Sequence, residues 1–173
     1  MRRVSVVGNS GSGKTTLGRR IAARIGAPFV EIDAIHHLPG WVERPREELI
    51  AELERITRAD AWVVDGNYRR AVVEGPVWER ADLIVWVDPP RWVVMAQVVR
   101  RTLWRGITRR RLWNGNREPF LRQFSPDPAR SIVVWAWVSH HKYRERYGSA
   151  MRERPHMVRL RSRRAAEAWL RTL

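Results

Sequence analysis

The sequence predicts an α/β fold of repeated strand–helix units around a parallel sheet, and three observations carry that prediction. Apolar, β-branched runs such as Val4-Ser5-Val6-Val7, Trp62-Val63-Val64 and Leu83-Ile84-Val85-Trp86-Val87 alternate with segments of helical period. The stretch GNSGSGKT, Gly8 to Thr15, fits G-x-x-x-x-G-K-[ST] and sits between the first of these runs and a helical segment. Two of the runs end on an aspartate, Asp65 and Asp88, and ligands of open parallel sheets gather at the carboxyl ends of strands.

In chain order, Val4 to Val7 is the first strand, followed by the glycine-rich loop and a helix over Lys14 to Ile25. Phe29 to Ile32 reads as a short second strand, ending at Asp33. A helix follows over Pro45 to Arg58, with Leu49, Ile50, Leu53 and Ile56 at helical spacing and Glu47 and Glu48 in its first turn, where the helix dipole favours acids. Trp62 to Val64 is the third strand and Leu83 to Val87 the fourth; Asp88-Pro89-Pro90 then turns into a helix over Arg91 to Trp104. Arg105 to Phe124 lacks an apolar period and reads as an excursion from the domain. Ser125-Pro126-Asp127-Pro128 predicts a helix start, with proline tolerated in the first turn, and that helix extends to Tyr147. Its half Ile132 to Val138 is too apolar all round to be expected at the surface. Met157 to Leu160 is a fifth strand, and Ser162 caps a last helix, Arg163 to Leu173.

The 173 residues, 44% of them hydrophobic, predict one domain with a substantial core. With no cysteine, disulfide, cysteine–metal and thiol chemistry are excluded. The longest apolar run elsewhere, Ile132 to Val138, is far short of the roughly 20 residues of a membrane span, and the basic start runs straight into the glycine-rich loop. The expectation is a soluble cytoplasmic protein with no membrane partner. Lys14 and Lys142 are the only lysines, so the net charge of +15 is almost all arginine. Such a surface attracts anions, nucleotides and nucleic acid included, and an arginine-rich composition accounts for it equally well.

In the glycine-rich loop, Gly8, Asn9, Ser10, Gly11, Ser12 and Gly13 lead to Lys14, Thr15 and Thr16. Glycines there let backbone N–H groups turn around a phosphate, and the helix that begins at Lys14 adds its positive end. Lys14 is placed to neutralise the outer phosphates of ATP, and Thr15 to offer a hydroxyl to Mg²⁺. Phosphate binding by itself leaves switches, motors and kinases open. A chain this small lacks the modules of most motors and transporters, and no pattern for reading guanine is evident.

For the acceptor side, Asp65 leads into Gly66-Asn67-Tyr68-Arg69, a polar and flexible run, and is expected to serve Mg²⁺ or its water. Asp88 is expected to cap the turn before its helix. Asp33 is a candidate acceptor-binding residue or general base. The pairs His36-His37 and His140-His141 lack carboxylates at ligand spacing and are read as surface residues, so no histidine metal site is expected. The excursion and the helix before it carry Arg100, Arg101, Arg105, Arg109, Arg110, Arg111 and Arg117. As a lid, such arginines, Arg101 and Arg105 among them, would stabilise a phosphoryl group in flight. Interleaved with Trp104, Trp113 and Phe120, they equally suit single-stranded nucleic acid.

Taken together, GNSGSGKTTL, IDAIHHLPGW, RPREEL, WVVDGNYRR, ADLIVWVDPPRW and VRLRSRRAAEAWL resemble the adenylate-kinase-like family known as DNA topology modulation proteins, over nearly the whole chain. That resemblance implies a nucleoside-monophosphate-kinase-like fold: five parallel strands in order 2-3-1-4-5, helices on both faces and a lid. It implies ATP and Mg²⁺ at Gly8, Gly11, Gly13, Lys14 and Thr15. Asp65 and Arg69 resemble the Asp and Arg of the family's D-G-F-P-R segment, where the arginine meets an acceptor phosphate; Asn67-Tyr68 replaces Phe-Pro here. The site expected is a kinase site whose small acceptor meets Asp33, Asp65, Asn67 and Arg69. The other reading is an ATP-dependent nucleic-acid-binding regulator.

Overall fold

The computed structural model describes residues 1–108, 111–117, 123 and 125–173, apart from the side chain of Arg70. Of the predicted excursion, Arg109, Arg110 and Phe120 therefore lie outside the described residues.

Five strands form one sheet in the order β2-β3-β1-β4-β5, every pairing parallel. They are β1 (Arg3–Gly8), β2 (Phe29–Glu31), β3 (Trp62–Asp65), β4 (Leu83–Val87) and β5 (Met157–Leu160). The helices are α1 (Lys14–Ile25), α2 (Ile32–His36), α3 (Arg46–Thr57), α4 (Pro76–Arg80), α5 (Arg91–Thr108), α6 (Ile132–Glu153) and α7 (Arg163–Leu170). This is the three-layer phosphate-loop kinase fold expected from the sequence. The near-continuous apolar runs of β1, β3 and β4 are what a sheet covered on both faces requires.

Alternation along the strands feeds two cores. On one face, Val4, Val6, Val63 and Val85 pack with Leu17, Ile21 and Ala22 of α1 and Leu170 of α7. On the other, Val7, Val64, Ile84 and Trp86 pack with Leu49 and Leu53 of α3, Trp78 of α4 and Tyr147 of α6. Ser5 is the polar member of β1, and its hydroxyl accepts the buried Trp78 indole N–H at 3.1 Å. A smaller cluster, Val94, Val98 and Ala136, joins α5 to α6 beside the phosphate loop.

Several boundaries differ from expectation. β2 ends at Glu31, one residue early, because Ile32 begins the short helix α2; Asp33 lies in that helix's first turn. α5 continues to Thr108, so the first residues of the predicted excursion are helical. α6 starts at Ile132 rather than Ser125, capped by Ser131, whose hydroxyl accepts from Val134 N at 3.3 Å, and it runs on to Glu153. The apolar half of α6 is not fully covered: Trp135 and Trp137 are 42% and 53% exposed, since the helix period turns only Ala136, Ser139 and His140 inward. His140 is consequently a buried residue rather than a surface one; burial holds its pKa below the usual range, and its Nε2 faces the Pro89 carbonyl at 3.4 Å. Among the described residues no helix is long and apolar enough to cross a membrane.

Candidate active site

The phosphate loop leaves β1 at Gly8 and enters α1 at Lys14. Its shape demands glycine at two points. Gly8 has φ 154°, and a Cβ there would lie 2.5 Å from the Val87 carbonyl oxygen. Gly11 has φ 78°, and a Cβ there would lie 2.3 Å from Val98 Cγ2 of α5. Asn9 anchors the loop: its Nδ2 donates to the Ala136 carbonyl at 2.7 Å, while its Oδ1 accepts from Ser10 N at 2.7 Å and from the Ser139 hydroxyl at 3.0 Å. The Asn9 side chain is thus turned toward α6, leaving the loop's backbone to face a phosphate. Arg101 donates to Ser10 Oγ at 3.0 Å, which brings this arginine onto the loop. Ser12 Oγ is buried with no hydrogen-bond partner among the described residues. Thr16 is exposed on the first turn of α1, and Arg105 is half-buried on the last turn of α5.

Beside the loop, Thr15 Oγ1 donates to Asp65 Oδ2 at 2.5 Å. Asp65 is 2% exposed, paired in register with Val6 of β1 and Glu31 of β2. Its Oδ1 is buried without a partner among the described residues. Burial pushes its pKa up to about 6; the charge of Lys14 and the Thr15 hydrogen bond oppose the rise, and Asp33 and Glu31 add to it. A buried carboxylate with one unmatched oxygen, next to a threonine hydroxyl and a lysine, suits a divalent cation. Asp88 differs. It does not cap the turn, because both its oxygens are engaged: Oδ1 accepts from Arg144 Nε at 2.9 Å, and Oδ2 accepts from Arg159 Nε at 2.9 Å and Nη2 at 2.5 Å. The Arg159 guanidinium also lies 4.2 Å over the Trp86 ring.

The Asp33 carboxylate accepts the Tyr68 hydroxyl at 2.9 Å on Oδ1. Burial, then the Asp33 charge, raises the Tyr68 pKa, so its proton stays in place. Asn67 faces the other way. Its Oδ1 accepts from Gly8 N at 3.0 Å and from the Tyr147 hydroxyl at 3.0 Å, and its Nδ2 donates to the Gly8 carbonyl at 2.5 Å. Its amide thereby clamps the start of the phosphate loop to the strand-three loop and to α6. Arg69 is largely exposed and pairs with Glu74 at 2.6 Å.

A cavity of about 440 Å³ opens on this side, lined by His36, Glu43, Arg44, Arg46, Tyr68 and Arg69 among others. Three arginines face one glutamate there, so the cavity favours an anion. A second cleft, lined by Arg20, Arg24, Glu167 and Arg171, lies between α1 and α7, away from the loop end of α1. Sequence reasoning did not single out Tyr68, Arg44, Arg46 or Tyr147. The arginines flanking Pro45 at a helix start, and the tyrosine inside GNYR, were the available signals. His36 and His37 are half-buried, and each has a buried Nδ1 without a partner among the described residues. No group of three or more metal-ligating side chains occurs among the described residues.

Comparison with known proteins agrees with this arrangement. Residues 4–65, from β1 to Asp65, match the family described as ATPase family associated with various cellular activities (AAA). A shikimate kinase from Rhodopseudomonas palustris is 26% identical over 159 residues, covering 83% of this chain and 70% of that protein. The match to a second curated relative, the ATP-dependent protease ATPase subunit HslU of Persephonella marina, is 38% identical over 53 residues and spans only 12% of its length. Among solved structures, shikimate kinase from Acinetobacter baumannii in complex with shikimate aligns with a TM-score of 0.60 at 18% identity, covering 99% of this chain and 90% of that one. A gluconokinase from Sinorhizobium meliloti 1021 aligns with a TM-score of 0.52 at 18% identity, covering 99% and 92%. The chain has a phosphate-loop nucleotide-binding core of the kind these kinases share in fold.

Proposed function

We propose that this protein is an ATP-dependent small-molecule phosphotransferase whose acceptor is a hydroxyl-bearing anion. The observation that carries the reading is the convergence, at the carboxyl ends of β1, β2 and β3, of Lys14, the Thr15–Asp65 pair, the Asp33–Tyr68 pair and an arginine-lined cavity. The similarity to shikimate kinase supports it.

ATP phosphates would lie in the backbone cradle from Gly8 to Thr16, with Lys14 against the outer phosphates. Thr15 and Asp65 would hold Mg²⁺, which when bound neutralises charge on the phosphates. Arg44, Arg46 and Arg69 would orient the anionic acceptor, and the Tyr68 hydrogen bond would fix Asp33 so that Oδ2 receives a proton. In the transfer the acceptor oxygen bonds to the γ-phosphorus, the bond from that phosphorus to the β–γ bridging oxygen breaks, and ADP leaves. The hydroxyl proton passes to Asp33. Arg101, already on the loop, and Arg105 would stabilise charge on the moving phosphoryl group.

Trp113 stacks on His37 at 5.8 Å between ring centroids, an internal role that weighs against its serving as a base-stacking platform for nucleic acid. The test is ADP formation from MgATP with a panel of hydroxylated carboxylates, sugar acids and nucleoside monophosphates. Acceptor-dependent turnover that Lys14→Ala and Asp33→Asn abolish is expected. No acceptor-dependent turnover across the panel, or turnover indifferent to Lys14→Ala, would sink the reading.

A further inference from the structure

Two hairpins meet tip to tip beside the acceptor cavity. One is bridged between His37 and Glu43 and closed by Leu38 N donating to the Val42 carbonyl at 2.8 Å. The other is bridged between Arg111 and Arg117 and closed by Leu112 N donating to the Asn116 carbonyl at 2.7 Å. Asn116 is 5% exposed, and its whole amide is engaged by the first hairpin. Its Oδ1 accepts from Gly40 N at 2.8 Å and Trp41 N at 3.1 Å, and its Nδ2 donates to the Leu38 carbonyl at 2.9 Å. Asn114 Nδ2 donates to the carbonyls of Ala34 and His37 at 3.0 and 2.6 Å. In return the Trp41 indole N–H donates to the Arg117 carbonyl at 2.9 Å.

The tip of the acceptor-side hairpin depends on these bonds. Trp41 has φ 61°, a left-handed conformation that a bulky residue holds only where its surroundings over-determine it. Asn116 supplies the acceptor for two consecutive backbone N–H groups at that point, the job a turn would otherwise do. From the same junction an unbroken set of contacts leads to Asp33. Trp113 stacks on His37, His37 meets His36 edge-on at 4.9 Å, His36 meets Tyr68 edge-on at 4.7 Å, and Tyr68 donates to Asp33.

We infer that Asn116 is a positioning residue for the acceptor site. It holds the 111–117 hairpin and the 34–44 segment as one body, so the acceptor side keeps its ordered form only while the lid hairpin is docked. Acceptor binding and lid docking are then one equilibrium, because both need the same bonds. The inference rests on the reading of the Asp33 side as the acceptor site, but its first test needs no acceptor.

Hydrogen exchange on the full chain, with and without MgADP, compares the parent with Asn116→Ala. The expected result is at least about tenfold faster exchange in 34–44 and in 111–117 together, the loss of three buried hydrogen bonds being ample for it. Amides of β1 and β3 keep their protection, and MgADP affinity changes by less than about twofold, since Asn116 makes no hydrogen bond to the phosphate loop. Asn116→Asp, which keeps the two acceptor contacts, restores most of the protection of 34–44. Faster exchange in 111–117 with 34–44 unchanged would overturn the inference. Should Asn116→Ala unfold the chain, Asn114→Ala gives the same comparison with a smaller effect in both segments. With any acceptor found in the panel, Asn116→Ala raises its KM about tenfold at unchanged KM for ATP, and an unchanged acceptor KM also overturns the inference. A panel without turnover but with coupled loosening rejects the phosphotransfer reading and supports the coupling.

Discussion

The Thr15 hydroxyl donates to Asp65 Oδ2 at 2.5 Å while Asp65 Oδ1 is buried with no partner among the described residues. A strand-end carboxylate is thereby half satisfied at the mouth of the phosphate loop. Asp88, at the end of the neighbouring strand, is fully satisfied by two arginines. The contrast assigns different work to two aspartates that look equivalent in the sequence.

Burial raises the Asp65 pKa from 3.8 to about 6, so the folded state holds this proton more tightly than the unfolded one. Its contribution to stability is therefore highest below about pH 4, falls as pH rises through about 6, and is constant above. The loss is on the order of 2–3 kcal/mol. Asp65→Asn is expected to be more stable than the parent at pH 7.5 but not at pH 3.5 in urea melts, and to bind MgATP at least about tenfold more weakly. Binding of MgATP to the parent near pH 6 releases a proton, measurable by calorimetry in buffers of different ionisation enthalpy.

Gly11→Ala combines a left-handed backbone with a Cβ 2.3 Å from Val98 Cγ2. The expected outcome is loss of MgATP binding and a destabilisation of about 2 kcal/mol in denaturant melts. Gly11→Ala with Val98→Ala recovers part of the binding, because the second change removes the atom in collision.

Asn67 joins Gly8 of the loop to Tyr147 of α6. Tyr147→Phe removes one hydrogen bond and is expected to cost about 1 kcal/mol, whereas Asn67→Ala frees the Gly8 N–H and carbonyl as well and costs about 2–3 kcal/mol. A double-mutant cycle in urea melts should give a coupling of about 1 kcal/mol; no coupling would deny the clamp.

Asp88→Ala leaves Arg144 and Arg159 without their carboxylate. Those guanidiniums are 35% and 30% exposed, so water recovers part of the loss, and about 2 kcal/mol of destabilisation is expected. MgATP affinity should stay within about twofold of the parent, which separates this aspartate from Asp65.

The apolar runs made β1, β3, β4 and β5 legible, since strands buried on both faces read as continuous hydrophobic stretches. The loop was legible because its glycines and Lys14 are adjacent in the chain. The start of α6 was misplaced because Ser125 and Ser131 are equally good caps in isolation, and only packing against α5 selects Ser131. The burial of His140 escaped notice for the same reason: which helix face turns inward depends on its neighbours.

The sequence by itself determined the order of strands and helices and the chemistry of GNSGSGKT, because both are written in local periodicity and contiguous motif. Tertiary structure alone decided that Asp65 keeps an unmatched oxygen while Asp88 does not, that Asn67 clamps the loop, and that Asn116 completes the turn at Trp41. Each of these depends on hydrogen bonds between residues far apart in the chain, and such pairings exist only once the sheet has brought the strand ends together.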